Sequence, residues 1–371
     1  MKRIGITGQA GFVGTYLFNL LKTKKDVEAI PFEDGYFAKP TLLVDFVKQC
    51  DVIVHLAAVN RCDSQEELFQ TNIRLVDQLI DAMQMANVSP HVIFSSSTQE
   101  ERDNFYGKSK REGRVKLATW AEKNNAFFTG LVIPNVYGPF GKPYYNSVVA
   151  TFCHQLTHGE QPKIDVDGSL KLIYVGELAK QIYQIAISEK SQNEFLLPHT
   201  AEKKVSEILN LLETYKKQYL EHGIIPALSS SFEVNLFNTF RSFINIQSYF
   251  PVLLKKNEDE RGVFVETIKL HCGGQVSSST TKPGITRGNH YHTRKIERFV
   301  VLSGEALIQL RKIGSNELLN FKLSGNNPAY IDMPIWYTHN ITNIGNSDLI
   351  TQFWINEMFD ANDPDTFFEI V

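Results

Sequence analysis

Three groups of residues in this 371-residue chain have types and spacings that could do chemistry. In GITRGNHYHTRKIERFVVLSG (284–304), one residue separates His290 from His292, so on a β-strand both imidazoles face the same way. A turn back past Lys295 brings Glu297 alongside them, and two nitrogens with one carboxylate suit a borderline divalent metal. In YGKSK (106–110), Tyr106 and Lys110 stand four apart, which on a helix places an ammonium beside a phenol and favours the ionised phenol. Such a tyrosine can give or take a proton near neutral pH. In GQAGFVG (8–14), Gly8, Gly11 and Gly14 surround Phe12 and Val13 and let the backbone approach a pyrophosphate at a helix N-terminus. Taken singly, each pattern also occurs by chance on ordinary strands, helices and turns.

The elements that must position these groups read in two styles. KRIGIT precedes the glycines as a short apolar strand, and Phe12, Tyr16, Leu17 and Leu20 continue as an amphipathic helix. DVIVHLAA (51–58) and HVIFSSS (91–97) are further buried strands alternating with helices, which predicts an α/β doubly wound parallel sheet of Rossmann type. The second strand ends at Glu33 and Asp34, about twenty residues past the glycines, where an acid would bond the 2′-hydroxyl of NAD and repel a 2′-phosphate. No basic residue there favours NADP, and the alternative is that these acids decorate a loop. Within RSFINIQSYFPVLLKKNEDERGVFVETIK (241–269) helical patterning gives way to strands, placing a boundary near residue 246, with residues 1–246 α/β and 247–371 all-β. The aromatic segment 232–250 reads as a packing surface between domains or subunits.

The totals narrow the class. Hydrophobic content of 43% and charge of 21% are those of a globular protein, and a net charge of -3 gives no reason to expect nucleic acid or an anionic membrane as partner. The four cysteines lack a C-x-x-C pair, which argues against a disulfide scaffold and fits a reducing cytoplasm. The apolar run in MKRIGITGQAG is too short for a signal peptide, so none is expected, and no run of about 18 apolar residues occurs.

With HLAA (55–58, holding Leu56, Ala57 and Ala58), Asn72 in TNIRLVDQL, the run Ser95-Ser96-Ser97 and PNVYGP (134–139), the glycines and YGKSK resemble the extended short-chain dehydrogenases over roughly residues 1–240. The resemblance implies that Ser97 bonds the substrate carbonyl, Tyr106 donates the proton, and Lys110 tunes Tyr106 and holds the nicotinamide ribose. It makes Asn72 structural or part of a proton relay and implies NADP(H), with NAD(H) open from Glu33 and Asp34. Asn135, Asn146, Ser147, Lys171 and Tyr174 fall where related enzymes grip a UDP group. Only eight residues separate Ser97 from Tyr106, where most of these enzymes carry a longer lid.

The 284–304 run, followed by PIWYTHNITN (334–343), resembles the two motifs of the metal-binding cupins. That resemblance implies a metal held by His290, His292, Glu297 and His339, zinc favoured, with iron, nickel and manganese open. Trp336 stands where a glycine is usual and Pro328 where the leading glycine would be.

A cupin behind an extended dehydrogenase is a rare pairing. Over its whole length, including YYNSVVATFC (144–153), KPGITRGNHYH (282–292) and NEMFDANDPDTFFEIV (356–371), the chain resembles the bifunctional enzymes of bacterial capsule and O-antigen precursor synthesis that form UDP-2-acetamido-2,6-dideoxy-L-talose. By that resemblance the cupin inverts carbon 3 of a UDP-linked 4-keto-6-deoxy amino sugar, and the dehydrogenase then reduces carbon 4, on the path to UDP-N-acetyl-L-fucosamine. Tyr291, Lys295, Tyr337 and His271 are the candidate epimerase bases, with Tyr291 expected to face away and His271 more easily read as a core histidine. A homodimer is the expected assembly. The rival readings are a single reductase whose cupin binds sugar or makes the dimer, and a cofactor sensor whose barrel recruits a partner.

Overall fold

The computed structural model describes residues 1–188 and 190–371. It divides into two compact units, Met1–Thr151 with Val166–Val205, and Phe152–Asp165 with Ser206–Val371. The change of patterning near residue 246 therefore lies inside the second unit, because the helical residues after 205 pack on its strands.

In the first unit β1 (Lys2–Thr7), α1 (Phe12–Lys22), β2 (Val27–Ile30), α2 (Pro40–Gln49), β3 (Val52–His55), α3 (Gln65–Ala86), β4 (His91–Ser97), α4 (Phe105–Lys123) and β5 (Phe128–Ile133) alternate as the sequence predicts. The strands pair in parallel in the order β2, β1, β3, β4, β5, with Gln192–Leu196 added beside β5. A parallel sheet is covered on both faces, which is why β3 and β5 are buried along their whole length. On one face Leu43, Phe46, Leu79 and Met83 of α2 and α3 close over Ile53, Val92 and Phe94. Short polar side chains start the helices. Ser64 accepts the Glu67 amide at 3.2 Å at the head of α3, and Asn104 accepts the Gly107 amide at 2.7 Å at the head of α4. Because β2 and β3 lie on opposite sides of β1, the loops after β1 and β3 part at the carboxyl edge and leave a crevice.

The second unit is built on two antiparallel five-stranded sheets. One has the order Val252–Leu253, Ala329–Met333, Glu297–Ser303, Leu349–Ile355, Gln275–Thr281; the other has Leu318–Ser324, Glu305–Lys312, Tyr337–Asn343, Thr286–Tyr291, Phe367–Phe368. Val300, Ile308, Leu310, Phe321 and Ile331 lie in its core. The helical residues are fastened to these strands by a buried polar cluster. Arg298 and Asp332 face each other across paired strands and share two hydrogen bonds of 2.7 and 2.9 Å, with 1% and 0% of their side chains exposed. The Tyr219 hydroxyl donates to Asp332 Oδ2 at 2.7 Å, Arg298 Nη1 donates to the Gly223 carbonyl at 2.8 Å, and Arg241 Nη2 donates to the Met333 carbonyl at 3.0 Å. Among the described residues no helix is long and apolar enough to cross a membrane.

Removing one partner of a buried ion pair strands the other charge. Asp332→Ala should therefore cost the second unit about 3–5 kcal/mol, read as a lowered denaturant midpoint; a change within experimental error would show that this cluster does not secure the helical segment.

Candidate active site and metal centre

The crevice at the carboxyl edge of the first unit is a cavity of about 980 Å³. Gly8, Gly11, Phe12, Val13 and Gly14 line one side, Leu56, Ala57 and Ala58 the next, and Ser97, Tyr106 and Lys110 the far end. Gly8 has φ +71°, and a Cβ there would stand 2.8 Å from the Ala57 amide, so the close approach of the two loops requires a glycine. Gly11 precedes α1 without a side-chain cap, leaving the first amides of the helix available to a phosphate. Of the acidic pair, Asp34 lines the cavity and Glu33 does not, because Glu33 precedes a tight 3₁₀ turn spanning Asp34–Ala38.

At the far end, Lys110 is buried, with its ammonium 5.1 Å from the Phe94 ring centroid, 5.8 Å from that of Tyr106 and 3.5 Å from the Ser95 hydroxyl. Burial pulls it down to about 8. The expected lowering of Tyr106 is not found. Burial pushes its phenol up to about 12, with the nearby Tyr145 adding to the effect, and the ammonium does not overcome this. Ser97 ends β4 and accepts the Gln99 amide at 3.2 Å while still facing the cavity.

Asn72 is buried and does not line the cavity. It accepts the Val59 amide at 2.7 Å and donates at 3.0 Å to the Val59 carbonyl and to Ser109, whose hydroxyl donates to the Tyr106 carbonyl. It thus ties the loop after β3 to α4. Asn135, Asn146 and Ser147 line the cavity; Lys171 and Tyr174 do not. The Lys171 side chain is exposed on a strand whose carbonyl takes the Asn135 amide at 3.3 Å, and Tyr174 is buried against Tyr16 and Tyr137. Lys142 and Tyr145, which spacing had not singled out, also reach the cavity.

In the second unit His290, His292, Glu297 and His339 come together, with one ligand atom from each lying within 4.8 Å of the others. Glu297 Oε2 stands 3.0 Å from His292 Nε2 and 3.2 Å from His339 Nε2. All three atoms are buried, and none has a partner in hydrogen-bond geometry, as expected of donors directed at a common point. The His292 Nδ1 is bonded to the Asp365 carbonyl at 2.5 Å and the His339 Nδ1 to the Tyr337 carbonyl at 3.2 Å, which turns both Nε2 atoms inward. Burial, reinforced by His339 and His292, holds His290 down at about 4. Burial opposes ionisation of Glu297, yet close contact with His292 and His339 keeps it well below the usual carboxylate range. A neutral imidazole and an ionised carboxylate are the forms that bind a metal; His292 goes the other way, since contact with Glu297 outweighs burial and raises it, so a metal there would displace its proton. The residues present therefore fit one.

A register change creates this arrangement. Arg287 pairs with Ile341 and Gly288 with Asn340, but His290 pairs with His339, leaving Asn289 as an extra residue at φ 57°. Without that bulge, Asn289 and Tyr291 would face inward in place of the histidines. Gly288 has φ +102°, and a Cβ would sit 2.8 Å from the His339 carbonyl oxygen. Trp336, at the position where a glycine was expected, has φ 61° and stacks on Tyr291 at 5.7 Å, so a left-handed backbone is kept with a packed aromatic in place of glycine. His290, Glu297 and His339 open on a cavity of about 240 Å³ lined also by Arg287, Phe299, Met333 and Phe353. None of the four candidate bases lines it. Tyr291 packs between Trp336 and Phe367, Lys295 donates to the Pro364 carbonyl at 2.7 Å, Tyr337 packs on the core, and His271 is exposed rather than buried.

Asp365, to which the sequence reading gave no role, holds the loop after His292. Its carboxylate takes the amides of Thr293, Arg294 and Lys295 at 2.9–3.2 Å. Asp365→Ala should weaken zinc binding about 10- to 100-fold in a competitive titration, and unchanged affinity would show that the loop needs no such support. Gly288→Val, which opposes the bulge, should weaken it by at least about 10-fold, whereas deletion of Asn289, which makes the strand regular and leaves His290 opposite His339, should retain more of it. The reverse ranking would rule out this account of the register.

Comparison with known proteins gives the lineage. Residues 4–195 match the NAD dependent epimerase/dehydratase family, and residues 257–367 match the polysaccharide biosynthesis C-terminal domain. A UDP-2-acetamido-2,6-beta-L-arabino-hexul-4-ose reductase of Pseudomonas aeruginosa is 30% identical over 367 residues, covering 98% of each chain. The crystal structure of the capsular polysaccharide assembling protein CapF from Staphylococcus aureus aligns over 100% of both chains with 35% identity and a TM-score of 0.62. RMD from Pseudomonas aeruginosa, solved with NADPH, covers 58% of this chain and 83% of its own with a TM-score of 0.53; at 19% identity it shows the fold alone. The family model spans residues 4–195 and the reductase aligns over 98% of the chain, so this protein belongs to the NAD dependent epimerase/dehydratase family and carries a polysaccharide biosynthesis C-terminal domain behind it.

Proposed function

We propose that this protein is a bifunctional nucleotide-sugar enzyme of surface-polysaccharide precursor synthesis. Its second unit inverts carbon 3 of a UDP-linked 4-keto-2-acetamido-2,6-dideoxy sugar, and its first unit then reduces carbon 4, leading toward UDP-N-acetyl-L-fucosamine. The observation that carries the reading is the presence in one chain of two different sites. One is a glycine-lined cavity ending in Ser97, Tyr106 and Lys110, and the other is a buried His/Glu cluster opening on a cavity of its own. The full-length likeness to a reductase of a UDP-linked hexulose supports the substrate class.

The chemistry accounts for the order of steps. A proton on carbon 3 is acidic only while carbon 4 is a ketone, because its removal leaves an enolate shared with that oxygen. Reduction removes the ketone, so inversion comes first and reduction draws it onward. When bound by His290, His292, Glu297 and His339, a divalent metal such as zinc supplies Lewis-acid stabilisation of that negative charge. The apolar walls Phe299, Met333 and Phe353 exclude water from the sugar ring. Held along the glycine-lined side of the first unit's cavity, a reduced nicotinamide cofactor would supply the hydride for carbon 4. Ser97 orients the carbonyl, Tyr106 delivers the proton to its oxygen, and the Lys110 ammonium stabilises the phenolate that remains. The resemblance implies NADP(H); Asp34, which lines the cavity, would suit the 2′-hydroxyl of NAD(H), so both cofactors are kept.

Proton NMR in deuterated water with the UDP-4-keto sugar and no nicotinamide tests the division of labour. The carbon 3 proton signal should disappear in the wild type and in Tyr106→Phe, and should persist in His339→Ala. Reduction should fall about 10²- to 10⁴-fold in Tyr106→Phe. Normal reduction without any exchange would leave a reductase with a structural C-terminal unit.

A further inference from the structure

The roles above leave out a buried ion pair in the first unit. Glu100 lies in the turn Thr98–Glu101, inside the eight-residue connection between Ser97 and Tyr106. Its carboxylate accepts from Arg114 Nη2 at 2.7 Å and from Arg114 Nε at 3.0 Å, and it also accepts the Ser96 hydroxyl. The side chains of Arg114 and Glu100 are 12% and 9% exposed. Ser96 stands between Ser95, which meets the Lys110 ammonium, and Ser97, which faces the cavity. One carboxylate therefore touches the strand end that carries the serines and the helix that carries Tyr106 and Lys110. Buried ion pairs of this kind add little stability over an apolar filling, so their value must be sought elsewhere.

We propose that Glu100 is a positioning residue for the reduction at Tyr106: it fixes the serine run and supplies the negative charge that acts on the Lys110 ammonium. The proposal rests on the reductase reading above. Burial alone draws Lys110 down toward neutrality, and Glu100 is the charge that opposes it. The other groups facing Lys110 supply no negative charge. On β3, burial and then Lys110 itself pull His55 down to about 3, so it is neutral; Tyr106 on α4 is neutral, Phe94 and Ser95 on β4 carry no charge, and Arg114 is committed to Glu100 and Glu194. The turn Thr98–Glu101, inside the eight-residue connection, carries this carboxylate to Ser96 and Arg114.

The test is the pH profile of kcat for reduction by the full-length enzyme with the UDP-4-keto sugar and reduced nicotinamide. Activity needs the charged ammonium, so its alkaline limb follows loss of the Lys110 proton. Glu100→Gln lowers the Lys110 pKa and should move that limb about one pH unit toward acid, with KM little changed. Arg114→Gln leaves the carboxylate less neutralised and should move the limb toward alkali. Opposite shifts support the proposal, because a purely structural role would not produce them. A limb that stays in place in whichever of the two variants keeps the wild-type melting temperature overturns it. Tyr106→Phe is measured alongside; full turnover there overturns the reductase reading itself, a different failure.

Discussion

Side-chain alternation along a β-strand is the constraint on which the second unit's chemistry depends. A strand offers its residues to two faces in turn, and one inserted residue exchanges the faces for everything beyond it. Asn289 is that residue, and it sets His290 opposite His339. The polar atoms around it hold the exchange in place. The Asn289 carbonyl accepts the Glu369 amide at 3.0 Å, and its side-chain oxygen accepts from Asn340 at 3.1 Å. Thr338 also donates its hydroxyl to the Glu369 carbonyl, so the 364–371 segment supports both the bulge and, through Asp365, the loop beyond it.

Two buried ion pairs hold elements in a fixed relation. Arg298 and Asp332 join the helical segment to the strands of the second unit, and Arg114 and Glu100 join α4 to the end of β4 in the first. In each case the carboxylate has a further partner, Tyr219 or Ser96, which satisfies more of its hydrogen-bonding capacity. Such pairs specify geometry more than they add stability. Both lie beside the candidate sites: Asp332 neighbours Met333 of the smaller cavity, and Ser96 lines the larger.

The larger cavity shows burial and charge in opposition. The phenol of Tyr106 is raised and the ammonium of Lys110 lowered, both by loss of water. Each shift disfavours the charged form, so the neutral phenol is the form ready to donate its proton, and the ammonium stabilises the phenolate only as that proton leaves. Spacing on a helix predicts that two groups are neighbours; it carries no information on how much water surrounds them.

The sequence by itself determined the two architectures, the glycine-lined phosphate loop and the residue types of both sites. Strand and helix periodicity, glycine placement and the Y-x-x-x-K and H-x-H spacings are local, and local geometry follows from a few neighbouring residues. Only the tertiary structure decided that Tyr174 and Lys171 lie away from the cavity, that Asp34 and not Glu33 reaches it, that His271 is exposed, and that the unit boundary precedes the change in patterning. It also disclosed Glu100, Arg114 and Asp365, whose partners lie between 4 and 80 residues away along the chain. Those facts depend on long-range packing and on the exclusion of water. Neither has a period or a spacing in the chain, so no local pattern carries them.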